Sequence, residues 1–305
     1  MYVVSTAFRN ALNRDNEQRC LLQFSNRAFT NEDISINAGL RLIEPFNPAT
    51  DLTIGLCPSA EIRFDLLNMN YQLENFTFGE FTAYLGVEIT SGTPTEMTRT
   101  FGGKTFAFIP LGVFNASRPD VVRKKIITVT ANDRMTLFDV DMPDAETLNI
   151  TYPISAANLL RAMCSYVGVS CASYSFINSE ATLEDEPDAF ATATMREVLG
   201  WIAELACSIA RFNRNGVLEL AWWQSQAVTL AESNYIDFSP CWYTAPTITG
   251  LHVRNADSTE EVVLGSDGAN SYMIQNNPFL RQDDITDERR EEEEEEAEEG
   301  EGGET

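Results

Sequence analysis

Between residues 20 and 150 the apolar positions come in short runs, several of them alternating with polar ones. The runs cover 20–24, 40–43, 60–66, 81–89, 105–111 and 125–130. A period of two suits strands with one buried face. Turn formers separate them: Asn47-Pro48, Cys57-Pro58-Ser59, Ser91-Gly92-Thr93-Pro94 and Gly102-Gly103. Strands at this spacing predict a barrel or a sandwich. Phe101-Gly102-Gly103-Lys104-Thr105 lacks the GxxxxGK spacing of a phosphate loop and reads as a hairpin turn.

The period changes after residue 150. Ala156, Leu159, Leu160, Met163, Cys164 and Val167 share one face of a helix, with Ser155 as N-cap and Gly168 as C-cap. Met195, Val198, Leu199, Ile202, Leu205 and Ala206 define a second helix, and Thr194 with Glu197 fits a capping box. Residues 180–188 read as an acidic loop between them. Runs at 209–212 and 217–222 flank Asn213-Arg214-Asn215-Gly216, a strong hairpin signal. This segment reads as two helices laid on a small antiparallel sheet. Strand-like runs return at 247–253, 261–264 and 271–274. At the start, residues 5–18 suit a short amphipathic helix with Ala7, Phe8, Ala11 and Leu12 on one face. It would clamp a neighbour or pack on its own domain.

These patterns divide the chain into an N-terminal arm or helix (1–19), a β domain (20–150) and an α+β domain (151–235). Return strands that complete the β domain follow (236–282), then a disordered acidic tail (283–305). The 305 residues are 44% apolar, enough for a proper core. No apolar run is long enough to span a membrane, and the first residues lack the pattern of a signal peptide. Residues 283–305 hold 14 acidic and 2 basic residues, so they carry −12 of the net −25 and leave −13 for the rest. An acidic body argues against specific nucleic-acid binding, which needs clustered Lys and Arg. Six scattered cysteines without a CxxC pair are expected to be reduced thiols, with Cys164 and Cys207 on apolar helical stripes.

Chemistry-bearing patterns are sparse. The single histidine, His252, lies in an alternating apolar run, and no GxSxG elbow accompanies it, so a structural role is expected. No Cys/His spacing suits zinc and no GxGxxG follows a strand. Asp133, Asp139, Asp141 and Asp144 form the densest acidic cluster. They lack the calcium-loop pattern, so turn capping is expected of them. The expectation is therefore no catalytic residue, no metal and no cofactor. Trp222-Trp223 and Trp242-Tyr243 put neighbouring rings on opposite faces of a strand. Their outward members are candidate interface or sugar-contacting residues.

One stretch carries more. Pro110-Leu111-Gly112-Val113-Phe114 is followed by Ile127-Thr128-Val129-Thr130-Ala131-Asn132-Asp133-Arg134-Met135 and then Asp139. This pattern resembles the tail-hub (tail-tip, baseplate-hub) proteins of long-tailed bacteriophages and prophages, where it forms a strand pair. Three further segments resemble the same family in order: Thr53 to Phe64, similar to an early strand pair; Thr194 to Leu205 followed by Asn215 to Leu220; and Asn276-Asn277-Pro278-Phe279-Leu280. The resemblance implies an α+β, mainly β fold. It has a tube-type β-barrel domain carrying an inserted domain of two helices plus an antiparallel sheet. It implies a non-enzymatic virion protein at the tail tip, made in the host bacterial cytoplasm. It also implies a homotrimeric ring in contact with the distal tail, tape-measure and tail tube proteins. The alternative is a cell-wall carbohydrate-binding module of a tail tip, without catalysis.

Overall fold

The computed structural model describes residues 4–14, 16–35, 39–45, 53–69, 72–119, 125–221, 249–254, 262–265 and 271–280. The protein is α+β and mainly β. One large antiparallel sheet holds β1 (Gln18–Phe24), β2 (Ala28–Thr30), β3 (Leu40–Ile43), β4 (Glu61–Leu67), β5 (Glu80–Glu88), β6 (Met97–Phe101), β7 (Lys104–Ala116) and β8 (Ile126–Asp133). Its order is β2-β1-β5-β7-β8-β4-β3, with β6 paired to β7. The alternation predicted for this region is realised. Ile62, Phe64 and Leu66 of β4 and Ile127, Val129 and Ala131 of β8 point inward, while Arg63, Thr128 and Thr130 point out.

β2 and β3 end the sheet, and one run of chain joins them. Beyond β2 that run crosses to the edge of β4. Ser35 donates to the Asp65 carbonyl at 2.8 Å, Leu67 donates to the Asp33 carbonyl at 2.7 Å, and Ile34 bridges Leu66. The sheet thus curls until its two ends are consecutive pieces of chain, a partial closure of the kind that limits open edges. Seven phenylalanines fill the interior. Phe24 stacks on Phe81 at 4.5 Å, and Phe29, Phe76, Phe78, Phe64 and Phe114 meet these two edge-on or tilted.

β7 is the longest strand and is buried on both faces along part of its length. Proline in a central strand would forfeit a ladder bond. Pro110 lies instead at a bulge, where Leu111 is the extra residue between the pairs Tyr84–Pro110 and Ala83–Gly112. On the face that carries Phe114, past the bulge, α1 (Thr6–Leu12) packs Phe8 and Ala11 on Val87, Ala107 and Ile109, while Phe106 and Phe108 pack with Leu21 on the opposite face. The arm therefore packs on its own chain. Its predicted stripe is shorter than expected, because Leu12 is exposed.

β1 and β2 form a hairpin held on its outer side by charge. The Thr30 hydroxyl and Arg19 both bind the Glu32 carboxylate, which they hold down at about 2. A depressed carboxylate contributes stability above its unfolded value, and that contribution is lost as pH falls through the folded value. Wild type is therefore expected to lose stability between about pH 4.5 and 2, and Glu32→Gln to lose less over that window. Acid titration of the unfolding midpoint checks this.

The second unit follows β8. A 3-10 turn (Arg134–Phe138) leads into α2 (Ala145–Leu148), β9 (Ile154–Ser155), α3 (Ala156–Val167), β10 (Thr182–Leu183), a 3-10 turn (Asp188–Ala191) and α4 (Met195–Leu205). The hairpin β11 (Ile209–Phe212) and β12 (Leu218–Ala221) comes next. The caps are those expected. Ser155 accepts from Asn158, Gly168 ends α3 in the left-handed conformation, and Thr194 and Glu197 form a capping box. The expected acidic loop at 180–188 contains β10, which pairs with β9 because Leu183 is buried there. Leu159, Leu160 and Met163 of α3 meet Val198, Leu199 and Ile202 of α4 in one core.

β13 (Gly250–Arg254), β14 (Val262–Gly265) and β15 (Ser271–Gln275) appear where strand-like runs are predicted. Rather than joining the large sheet, as the return-strand reading expects, they make a separate sheet of order β14-β13-β15, with β13 and β15 parallel. Their anchor lies on α4. Asn277 donates to the Trp201 carbonyl at 3.0 Å and to Glu204 at 2.9 Å, and Phe279 joins the helical core.

Candidate functional site

The residues that carry the family resemblance converge on the junction between the two units. β7 and β8 pair there through Phe114–Asp133, Asn115–Asn132 and Ala116–Ala131. β8 then ends because Asp133 caps the 3-10 turn, accepting from the Met135 amide at 3.0 Å. The same buried carboxylate accepts from the Ser59 hydroxyl at 2.8 Å and the Ala60 amide at 2.9 Å. Burial pushes its pKa up, and these donors pull the other way. Next to it Arg134 pairs with Glu80 at 2.7 Å and donates to the Gly216 carbonyl at 2.9 Å, tying sheet to hairpin.

Residues 53–60, expected as part of an early strand pair, are not a paired strand. They run as a strap from the sheet to α4. Gly55 donates to the Ser208 carbonyl at 2.8 Å and Leu56 accepts from Ala210 at 2.9 Å. Gly55 has φ +74, and its carbonyl lies 2.9 Å from where a Cβ on Gly200 would sit. Alanine is normally favoured over glycine inside a helix by about 1 kcal/mol. Here the added methyl collides with backbone, an overpacking cost of about 1–3 kcal/mol. Gly200→Ala is therefore expected to destabilise rather than stabilise, and a denaturant melt gives the sign. Burial also pushes up the Cys57 thiol, to about 12, and the Glu204 carboxyl beside the strap.

The four aspartates do not form a shared cation site. Asp133 and Asp144 cap turns, Asp139 pairs with Arg196 at 2.7 Å, and Asp141 bridges Thr194. Among the described residues no group of three or more His, Cys, Asp or Glu is arranged to hold a metal. His252 is buried on β13, between Val263 and Met273 of the flanking strands. Cys20, Cys57, Cys164, Cys171 and Cys207 are free thiols. Cys207 lies one residue past the C-cap of α4 and is exposed, which corrects the expectation of a buried stripe position. Cys171 Sγ donates to the Ser173 carbonyl at 3.1 Å, and its interaction with the neighbouring Cys164 thiol lowers its pKa and raises that of Cys164. Trp222, Trp223, Trp242 and Tyr243 lie outside the described residues.

Sequence reasoning missed an open groove of about 620 Å³ along the outer side of α3. Asn149, Thr151, Asn158, Arg161, Ser165 and the half-exposed Tyr166 line it, with no carboxylate among its lining residues. Arg161 lies over the Tyr174 ring at 4.6 Å and donates to Asn158. Its residues come from the polar side of a helix and from a loop after α2, a juxtaposition without a sequence signal.

The chain is thus a mainly β, α+β protein whose two units are joined by a glycine-mediated strap and a buried aspartate. No family model matches the chain. No curated protein matches it. A solved structure similar to it is the prophage MuSo2 43 kDa tail protein from Shewanella oneidensis, at 9% identity and a TM-score of 0.47. That match covers 85% of this chain and 72% of the other. Among the described residues no helix is long and apolar enough to cross a membrane.

Proposed function

We propose that this chain is a structural protein of a long bacteriophage or prophage tail. In this reading it is a hub subunit that assembles into a homotrimeric ring at the tail tip. It works by assembly rather than catalysis, in contact with the distal tail, tape-measure and tail tube proteins. The observation that carries the reading is the β7–β8 ladder. The two halves of the motif that resembles tail hubs face each other as a strand pair at the heart of the sheet. The acidic composition suits a surface past which DNA slides without adhering. Light scattering on the full chain, followed by negative-stain imaging, tests it. Trimeric rings with a central hole are expected. A monomer at all concentrations that binds none of the three tail proteins overturns it.

The groove on α3 favours a second reading, a carbohydrate-binding module of a tail tip. Amides, hydroxyls, one guanidinium and an exposed phenol ring suit sugar hydroxyls and a pyranose face. Pull-down on host cell walls, lost in Tyr166→Ala and in Trp223→Ala, would favour it. Binding that survives both changes would remove it.

A further inference from the structure

On the outward face of the β3–β4 ladder Arg41 stands directly opposite Arg63, and both are exposed. Like charges at directly opposed positions repel. Among the described residues neither guanidinium has a carboxylate within ion-pair distance, although Glu61 and Asp65 flank Arg63 along β4. Elsewhere Arg19, Arg27, Arg134, Arg196, Arg211 and Arg214 each face an acid, and among the described residues no other ladder sets two arginines against each other. In a chain of net charge −25 an opposed and unneutralised cation pair is unusual. It also borders the edge of β3, which among the described residues is the end strand of the sheet.

We propose that this face binds the glutamate run of the chain's own C-terminal segment, residues 291–299. That run has eight glutamates and nothing basic, so the charges complement each other. The chain continues for 25 residues beyond Leu280, the last described one. At about 3.3 Å per residue, the part up to Glu299 reaches up to about 60 Å. A domain of this size has a radius of gyration of about 19 Å, so a segment of that length spans the better part of its surface. Seated there, it neutralises the arginines and covers an edge that would otherwise recruit a foreign strand. The inference is independent of the tail-hub reading.

The test uses the full chain. In wild type, cleavage of the segment by a glutamate-specific protease is expected to be slow at low salt and several-fold faster above the salt level that screens such contacts. Arg41→Thr with Arg63→Thr is expected to show the fast rate at both salts. A second readout is carbodiimide coupling in Arg41→Lys with Arg63→Lys, where links from positions 41 and 63 to 291–299 are expected. Links within one copy support the proposal, and links found only between isotopically distinct copies overturn it. Equal cleavage rates in wild type and variant, with coupling to Lys104 and Lys125 as frequent as to positions 41 and 63, overturns it. The thermal midpoint gives an independent sign. Removing Arg41 lowers it if the segment is seated, and raises it if only repulsion is relieved.

Discussion

Phe81→Ala is expected to cost about 3–5 kcal/mol of folding stability, the range for truncating a fully buried aromatic residue. Phe81 is 2% exposed and central to the sheet interior, stacked on Phe24 and within 6 Å of the rings of Phe64 and Phe114. Its neighbours sit on strands tied into a curled sheet, so they cannot easily move in to fill the void. Curvature brings these rings together, so the loss should reach the partial closure as well as the local contacts. In denaturant, the midpoint should fall with the slope unchanged. A loss under about 1 kcal/mol would mean that the interior repacks freely and is looser than described.

Asp133→Ala is expected to cost about 2–4 kcal/mol. The substitution leaves the Ser59 hydroxyl and the amides of Ala60 and Met135 without their acceptor, and two of these hold the strap. The loss should therefore be felt at a distance. Hydrogen exchange should speed up at Ala60 and Met135, and also at Gly55 and Ala210, whose bonds depend on the strap staying seated. Asp133→Asn keeps one acceptor oxygen and should fall between wild type and alanine. If exchange rises only at Met135, the aspartate is a local cap and the strap is held by other contacts.

Local physics was legible in the sequence wherever one residue pattern decided the outcome. The caps of α3 and α4 follow from Ser155, Gly168, Thr194 and Glu197, and the β6–β7 turn from Gly102-Gly103. The alternation of β4 and β8 told inside from outside because one face alone is buried. β2 and β6 left little trace. β2 is only three residues long, and β6 is an exposed strand rich in Thr and Arg, defined by its partner more than by its own residues. The strap was expected within a strand pair because Thr53 to Phe64 resembles that part of the tail-hub pattern, not because its own residues alternate. Its real constraint is the approach of Gly200, which lies far along the chain. The separate sheet of β13, β14 and β15 was invisible for a similar reason. Strand patterns fix which face is apolar, not which strand is the neighbour. The groove and the Arg41–Arg63 pair are spatial coincidences of polar residues, and periodicity does not register them.

The ladder order also sets a timetable for folding. β1 finds its main partner in β5, and β4 finds its own in β8, each across a long stretch of intervening chain. The contacts of α3, α4 and the β11–β12 hairpin are far more local. Closing long loops must precede any reward from the ladders they permit, so the sheet is the slow partner. On the ribosome β1 emerges first and waits unpaired until β5 arrives, and β4 waits for β8. During that interval the apolar faces meant for the phenylalanine interior stand open to other nascent chains. The yield of soluble protein should therefore respond more to translation speed and chaperone supply than to changes in final stability.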